Sequence, residues 1–165
     1  MRTPIKTDAP SGHRLPPTYF IIRLHNTGIM VTPKGLRLYK DERLCGVTAI
    51  DALFAPQSRV AGEISGTMAY PWRAVWRVNP RREGCPARFV IMVPKKRLRR
   101  AVDRVAMRRR CREAYRLNRH LLPSLTTGVD IAFVFVGSQL VSYEVTRASM
   151  VRMLGRVADS LVSQS

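Results

Sequence analysis

The apolar positions of this chain change period several times between residues 36 and 163, and each change marks an element. After a lead-in over 38–44, Val47, Ile50 and Phe54 recur at helical spacing with Leu53 beside them, which predicts a short amphipathic helix capped by Gly46 or Thr48. Residues 57–66 hold Gly62 and Gly66 but no period, and read as a loop. Over 67–78 the chain alternates, with Tyr70, Trp72, Ala74 and Trp76 on one face and Arg73, Val75 and Arg77 on the other. This predicts a strand, whose beginning Pro71 places at an edge or a bulge. A hairpin-like connection over 79–86 then leads into 87–93, ARFVIMV, an apolar run of the kind covered on both faces.

From Ala101 to Leu122 there is neither Gly nor Pro, and the residues are mostly good helix formers, so one helix of about twenty residues is expected. Asp103 falls in its first turn, where a negative charge suits the helix dipole. At 100° per residue the side chains separate into two arcs. Arg104, Arg108, Arg112 and Arg116 follow at i, i+4 steps, with Arg119 among them and Arg109 at the edge; Ala106, Met107, Cys111, Ala114, Leu117 and Leu121 take the other side. Beyond Pro123 and a turn-like 126–128, the run 129–136, VDIAFVFV, predicts another buried strand. The last stretch, 143–162, carries Val145, Ala148, Met150, Met153, Leu154, Val157 and Leu161 at roughly helical spacing and predicts a packing helix.

A strand, helix, strand, helix order in the second half implies a parallel pair of strands joined by a crossover helix. The expected fold is therefore α/β (α+β): a single domain over 36–163 with a small, mostly antiparallel sheet. General sterics would make the crossover right-handed. Residues 1–35, rich in Pro, Thr and basic residues, are expected to be a poorly ordered extension, and Met30 is a candidate for the true start.

Charge changes the meaning of the central helix. The chain carries 29 Lys and Arg against 11 Asp and Glu, a formal net charge of +18. Twelve of those cations and only two acids, Asp103 and Glu113, lie between Pro94 and His120. Like charges at i, i+4 repel by a few tenths of a kcal/mol per pair, so a helix that stacks them in register fits a polyanionic partner better than bulk water. Arg outnumbers Lys here, as suits planar, bidentate phosphate contacts. The opposing interpretation is a merely solvated basic face, which the phasing of the arginines against an apolar stripe disfavours. No catalytic constellation accompanies the basic tract. The acids are scattered apart from Asp41-Glu42, His13, His25 and His120 lie in the tail or at a helix end, and Cys45, Cys85 and Cys111 lack the spacing of a zinc site or a disulfide framework. No apolar run is long enough to span a bilayer, so no membrane is expected and the protein is expected in the cytoplasm; nor is a small-molecule substrate expected.

The order AVDRVAMRRRCREAYR, behind a strand and the dipeptide Lys95-Lys96, closely resembles the arginine-rich signature of the bacterial ribonuclease P protein component, which is written around Arg-Asn-Arg followed by Lys-Arg and Arg-Glu. The resemblance covers roughly residues 38–161. Arg104, Arg108, Arg109, Arg112 and Glu113 fall on the pattern, whereas Val105 stands where the family usually has Asn and Ala106 where it has a basic residue. Arg110 occupies a usually apolar position and must either snorkel out of the core arc or contact RNA itself. The resemblance implies a left-handed crossover, a fold like domain 2 of ribosomal protein S5, and partnership with the catalytic RNA and precursor tRNA. It also implies that the RNA supplies the active site and holds the Mg2+, while the protein has no catalytic residue. Carried over by position, the RNA-binding candidates are Lys95, Lys96, Arg97, Arg99, Arg100, Arg104, Arg108, Arg109, Arg112 and Arg116. The cleft for the single-stranded 5′ leader would use Ile50, Phe54, Trp76 and Arg112, with Phe54 and Trp76 open to a plain core role instead. The rival from another class is a small ribosomal or rRNA-binding assembly protein with no part in cleavage, which the composition fits equally well.

Overall fold

The computed structural model describes residues 37–55, 64–80, 82, 87–123 and 128–163. The expected extension over 1–35 lies outside the described residues. A 3-10 turn at Lys40–Glu42 precedes helix α1 (Val47–Ala52), strands β1 (Ile64–Ala69), β2 (Trp72–Asn79) and β3 (Arg88–Met92), helix α2 (Ala101–Asn118), a second 3-10 turn (Arg119–Leu121), strand β4 (Gly128–Phe135) and helix α3 (Tyr143–Val162). The sheet order is β1-β2-β4-β3. Strands β1 and β2, and β2 and β4, pair antiparallel, while β3 and β4 are parallel and joined through α2. The expected mostly antiparallel sheet with one parallel pair is thus present.

Four expectations about the sheet need correction. The single strand expected over 67–78 is two, because a cis Tyr70-Pro71 peptide turns the chain so that Ala69 pairs with Trp72. Directly paired residues share a face, so the alternation shifts phase at this reversal: Ala69 lies on the side of Trp72, Ala74 and Trp76, while Tyr70, expected on that side, is exposed in the turn. The loop expected up to residue 66 accordingly gives up Ile64 to Gly66 to β1. The connection over 79–86 is not a hairpin, since β4 lies between β2 and β3. Nor is β3 fully covered on both faces. It is an edge, with Val90, Ile91 and Met92 half-buried, whereas β4 is buried throughout except at Val134.

Nearly the whole core lies on one face of the sheet. Trp72, Ala74 and Trp76 of β2, Phe89 of β3, and Val129, Ile131, Phe133 and Phe135 of β4 pack against Met107, Cys111, Ala114 and Tyr115 of α2 and Met150, Met153, Leu154, Val157 and Leu161 of α3. Phe89, Tyr115 and Phe133 form an aromatic triad, with Phe89 to Tyr115 ring centroids 4.1 Å apart, that holds α2 against the parallel pair. The other face is covered around Ala132 by Leu44 and Leu53, with Ala49, Ile50, Phe54 and Val90 alongside. Val47, expected on the apolar side of α1, is 76% exposed.

Helix α3 has the expected bounds, but its buried stripe is rotated. Val145 and Ala148 are exposed, and Thr146 and Ser149 are buried in their place. Their hydroxyls have local acceptors: Thr146 Oγ1 donates to the Ser142 carbonyl at 3.1 Å, and Ser149 Oγ lies 2.7 Å from the Tyr70 carbonyl and 2.9 Å from that of Val145. Small hydroxyls that bond back to the helix are cheap to bury where the β1–β2 turn comes close.

Candidate nucleic-acid interface

Helix α2 buries Met107, Cys111, Ala114, Tyr115 and Asn118, one narrow stripe displaced from the expected one. Tyr115 and Asn118 were not foreseen in it, while Ala106, Leu117 and Leu121 are only half-buried. Asn118 Nδ2 donates to the Ala114 carbonyl at 2.7 Å, which satisfies the amide inside the core. Burial pushes the Cys111 thiol well above its ordinary range, with only partial relief from the Arg112 charge, so Cys111 stays neutral and structural.

The arginines of α2 divide into two groups. Arg104 folds back to cap the loop before the helix, its Nη1 donating to the carbonyls of Leu98 at 3.0 Å and Arg99 at 2.6 Å. Arg110 snorkels, as one of the two expectations had it, and donates to the Val141 carbonyl ahead of α3. Arg116 Nε bonds Glu113 Oε2 at 2.9 Å, and that hydrogen bond holds the Glu113 carboxyl below the usual carboxylate range. Arg119 pairs with buried Glu42, whose other oxygen accepts the Tyr39 N–H at 2.8 Å. These four guanidiniums fasten the fold. Arg108, Arg109 and Arg112, by contrast, have no ion pair or hydrogen-bonded acid among the described residues, and Arg109 and Arg112 are exposed. Lys95, Lys96, Arg97, Arg99 and Arg100, in the loop leading to α2, are all exposed as well.

Arg108 and Arg112 form one wall of a groove of about 200 Å3 whose other lining residues are Arg43, Leu44, Cys45, Phe89, Val90 and Ile91. The groove exists because β3 is an edge. The Leu44 N–H donates to the Phe89 carbonyl at 2.9 Å, and Arg43 makes a single parallel bridge to Phe89 before Gly46, at φ +100°, turns the chain into α1. Only glycine adopts that backbone conformation without a Cβ penalty. Leu44 and Val90 also belong to the cluster containing Ile50 of α1 and Phe54 just after it, so the structure does bring those two side chains next to the arginine groove.

Trp76 does not join them. It is 4% exposed and lies on the opposite face of the sheet, within the main core, so the expectation that it lines a leader cleft is overturned. The α1 side of β2 instead presents Arg73, Val75 and Arg77, the face first set aside. Alternation separates the two faces of a strand but does not say which one the helices cover. Arg43 was missed for a related reason, since nothing in its neighbourhood signals that it will meet β3.

Val105 is 38% exposed, and at 100° per residue it falls between Arg112 and Arg116, inside the basic arc. Val105→Asn should therefore leave folding stability within about 0.5 kcal/mol, as for a surface change, and preserve RNA affinity or raise it by up to about 1.5 kcal/mol, the worth of one neutral hydrogen bond. Thermal unfolding and RNA titration of the variant check both, and destabilisation by more than about 1 kcal/mol would contradict the exposure of this position.

Among the described residues no three His, Cys, Asp or Glu side chains come together as metal ligands. No described helix is long and apolar enough to cross a membrane. Fold and groove together define a small basic α/β protein with an arginine-rich crossover helix lying open beside an edge strand. The ribonuclease P family profile matches residues 38–158, and the chain belongs to that family. The ribonuclease P protein component of Porphyromonas gingivalis is 33% identical over 140 residues, covering 82% of this chain and 97% of that protein. That of Chloroflexus aggregans is 34% identical over 100 residues, covering 59% and 70%. Among solved structures, the ribonuclease P proteins of Staphylococcus aureus (TM-score 0.54, 14% identity, 73% of this chain and 97% of that one) and Thermotoga maritima (TM-score 0.50, 22% identity, 70% and 96%) share the fold.

Proposed function

We propose that this chain binds the catalytic RNA of ribonuclease P and the single-stranded 5′ leader of precursor tRNA, and assists endonucleolytic removal of that leader to give the mature tRNA 5′ end. The observation that carries this reading is the open face of α2, where Arg108, Arg109 and Arg112 stand without acidic partners among the described residues beside the groove along β3. Their guanidiniums donate to backbone phosphates, and the exposed Lys95, Lys96, Arg97, Arg99 and Arg100 extend the same field. Arg104 and Arg116 contribute charge while their hydrogen bonds hold the chain in shape. The remaining accessible surface of Ile50 and Phe54 offers apolar contact to unpaired bases, which is sequence-tolerant because every base has a flat face.

Bond cleavage belongs to the RNA subunit with its Mg2+, and this chain acts by positioning and by neutralising charge. Membership of the family favours this over the ribosomal alternative. In the test, the purified chain free of RNA is expected to leave precursor tRNA uncut, and the chain mixed with its cognate catalytic RNA at low Mg2+ is expected to release the leader. Cleavage by the RNA-free protein would refute the division of labour.

A further inference from the structure

A second hollow, of about 320 Å3, is lined by Lys40, Asp41, Arg43, Cys45, Arg82 and Arg88. It shares Arg43 and Cys45 with the α2 groove, so the two are adjacent along the β3 edge. Two of its cations, Arg88 and Arg82, are held from behind. Asp130, 1% exposed, accepts from Arg88 Nε at 2.9 Å, from Arg88 Nη2 at 3.2 Å and from Asn79 Nδ2 at 3.0 Å, with Arg82 Nη1 3.7 Å away. This bidentate clamp fixes the Arg88 guanidinium and leaves Nη1 without an acceptor among the described residues. A donor already immobilised loses little further entropy on meeting an anion. Glu42 is paired with Arg119, so among the described residues lining the hollow Asp41 is the one acid beside the exposed Lys40 and Arg43.

We infer that this hollow is a second site for an RNA backbone phosphate, taking the phosphodiester of a strand that continues from the α2 groove across Arg43. The inference rests on the RNA-binding reading above. Six cations spread along the two hollows (Arg112, Arg108, Arg43, Arg88, Lys40 and Arg82) instead of converging on one point, which suits a repeating polyanion better than a lone small ion. A protein partner fits poorly, because among the described residues no large apolar side chain lines the second hollow to form the core of an interface.

The test uses the full chain with Lys40→Ala and Arg43→Ala together, both exposed positions. Binding to labelled catalytic RNA, and of labelled precursor tRNA to the holoenzyme, is measured between about 50 and 200 mM KCl beside the Arg108→Ala, Arg112→Ala variant. The expected result is an unchanged melting temperature, roughly tenfold weaker binding, and a log–log salt slope shallower by about 1.4 to 1.8 for two lost contacts, with one of the two RNAs or both. If the slope stays at the wild-type value with both RNAs while the Arg108, Arg112 variant flattens, the second site is overturned. If neither variant flattens, the RNA-binding reading itself fails and the second site with it. If inorganic phosphate raises the melting temperature of the wild type but not of the Lys40, Arg43 variant, and the RNA slopes do not move, the hollow is a small-anion site and the RNA assignment is overturned.

Discussion

Replacing Arg108 and Arg112 together by alanine is expected to weaken binding to the catalytic RNA on the order of a hundredfold, from two charge-assisted contacts worth about 1.5 kcal/mol or more each. The log–log salt slope should become shallower by about 1.4 to 1.8, the share of two phosphates. Stability should move the other way or not at all. Both residues lie on the open side of α2 at i, i+4 spacing, so their removal relieves a repulsion of a few tenths of a kcal/mol, and alanine is the better helix former. A variant that melts as high as the wild type yet loses RNA separates binding from folding. A variant with the wild-type slope would remove this face of α2 from the interface.

The largest expected effect on folding comes from a residue outside α2. Asp130 is 1% exposed, accepts three hydrogen bonds from Arg88 and Asn79, and has Arg82 within 3.7 Å. Asp130→Ala would leave those cations, only 22% and 16% exposed, facing a hole. Breaking a buried pair from one side costs about 3 kcal/mol or more. Urea unfolding should show a lower midpoint at an unchanged slope. Asp130→Asn should lose less, because an amide oxygen still accepts from Arg88. Equal stability of wild type and Asp130→Ala would mean that the clamp holds nothing. The same variant bears on the second hollow, since Arg88 is aimed by Asp130.

Much of this was legible because it is local. The absence of Gly and Pro from Ala101 to Leu122, with an apolar stripe phased against Arg108 and Arg112, located α2 and its open side, and Val105 falls on that side. The parallel pair followed from the order of two apolar runs around one helix. Tyr115 and Asn118 were passed over as core residues because a phenol and an amide read as polar. Tyr115 is buried against Phe89 and Phe133, and its phenol is held protonated well above the usual range by that burial. Asn118 satisfies itself on the helix.

By itself, then, the sequence determined the start of α2, the bounds of α3, the phase of the basic face and the chain order that makes β3 and β4 parallel neighbours. Each of these follows from a period or a breaker within one segment. Tertiary structure alone decided which face of β2 the helices cover, and so removed Trp76 from the candidate cleft. It also made β3 an edge, brought Arg43 to Phe89, and divided the arginines of α2 between those bonded to Leu98, Val141 and Glu113 and those left open. These outcomes depend on which distant segments meet, and a hydrophobic period carries no information about its partner. A guanidinium's charge is written in the sequence, but whether it faces a carbonyl, a carboxylate or open solvent is settled only when the chain closes around it.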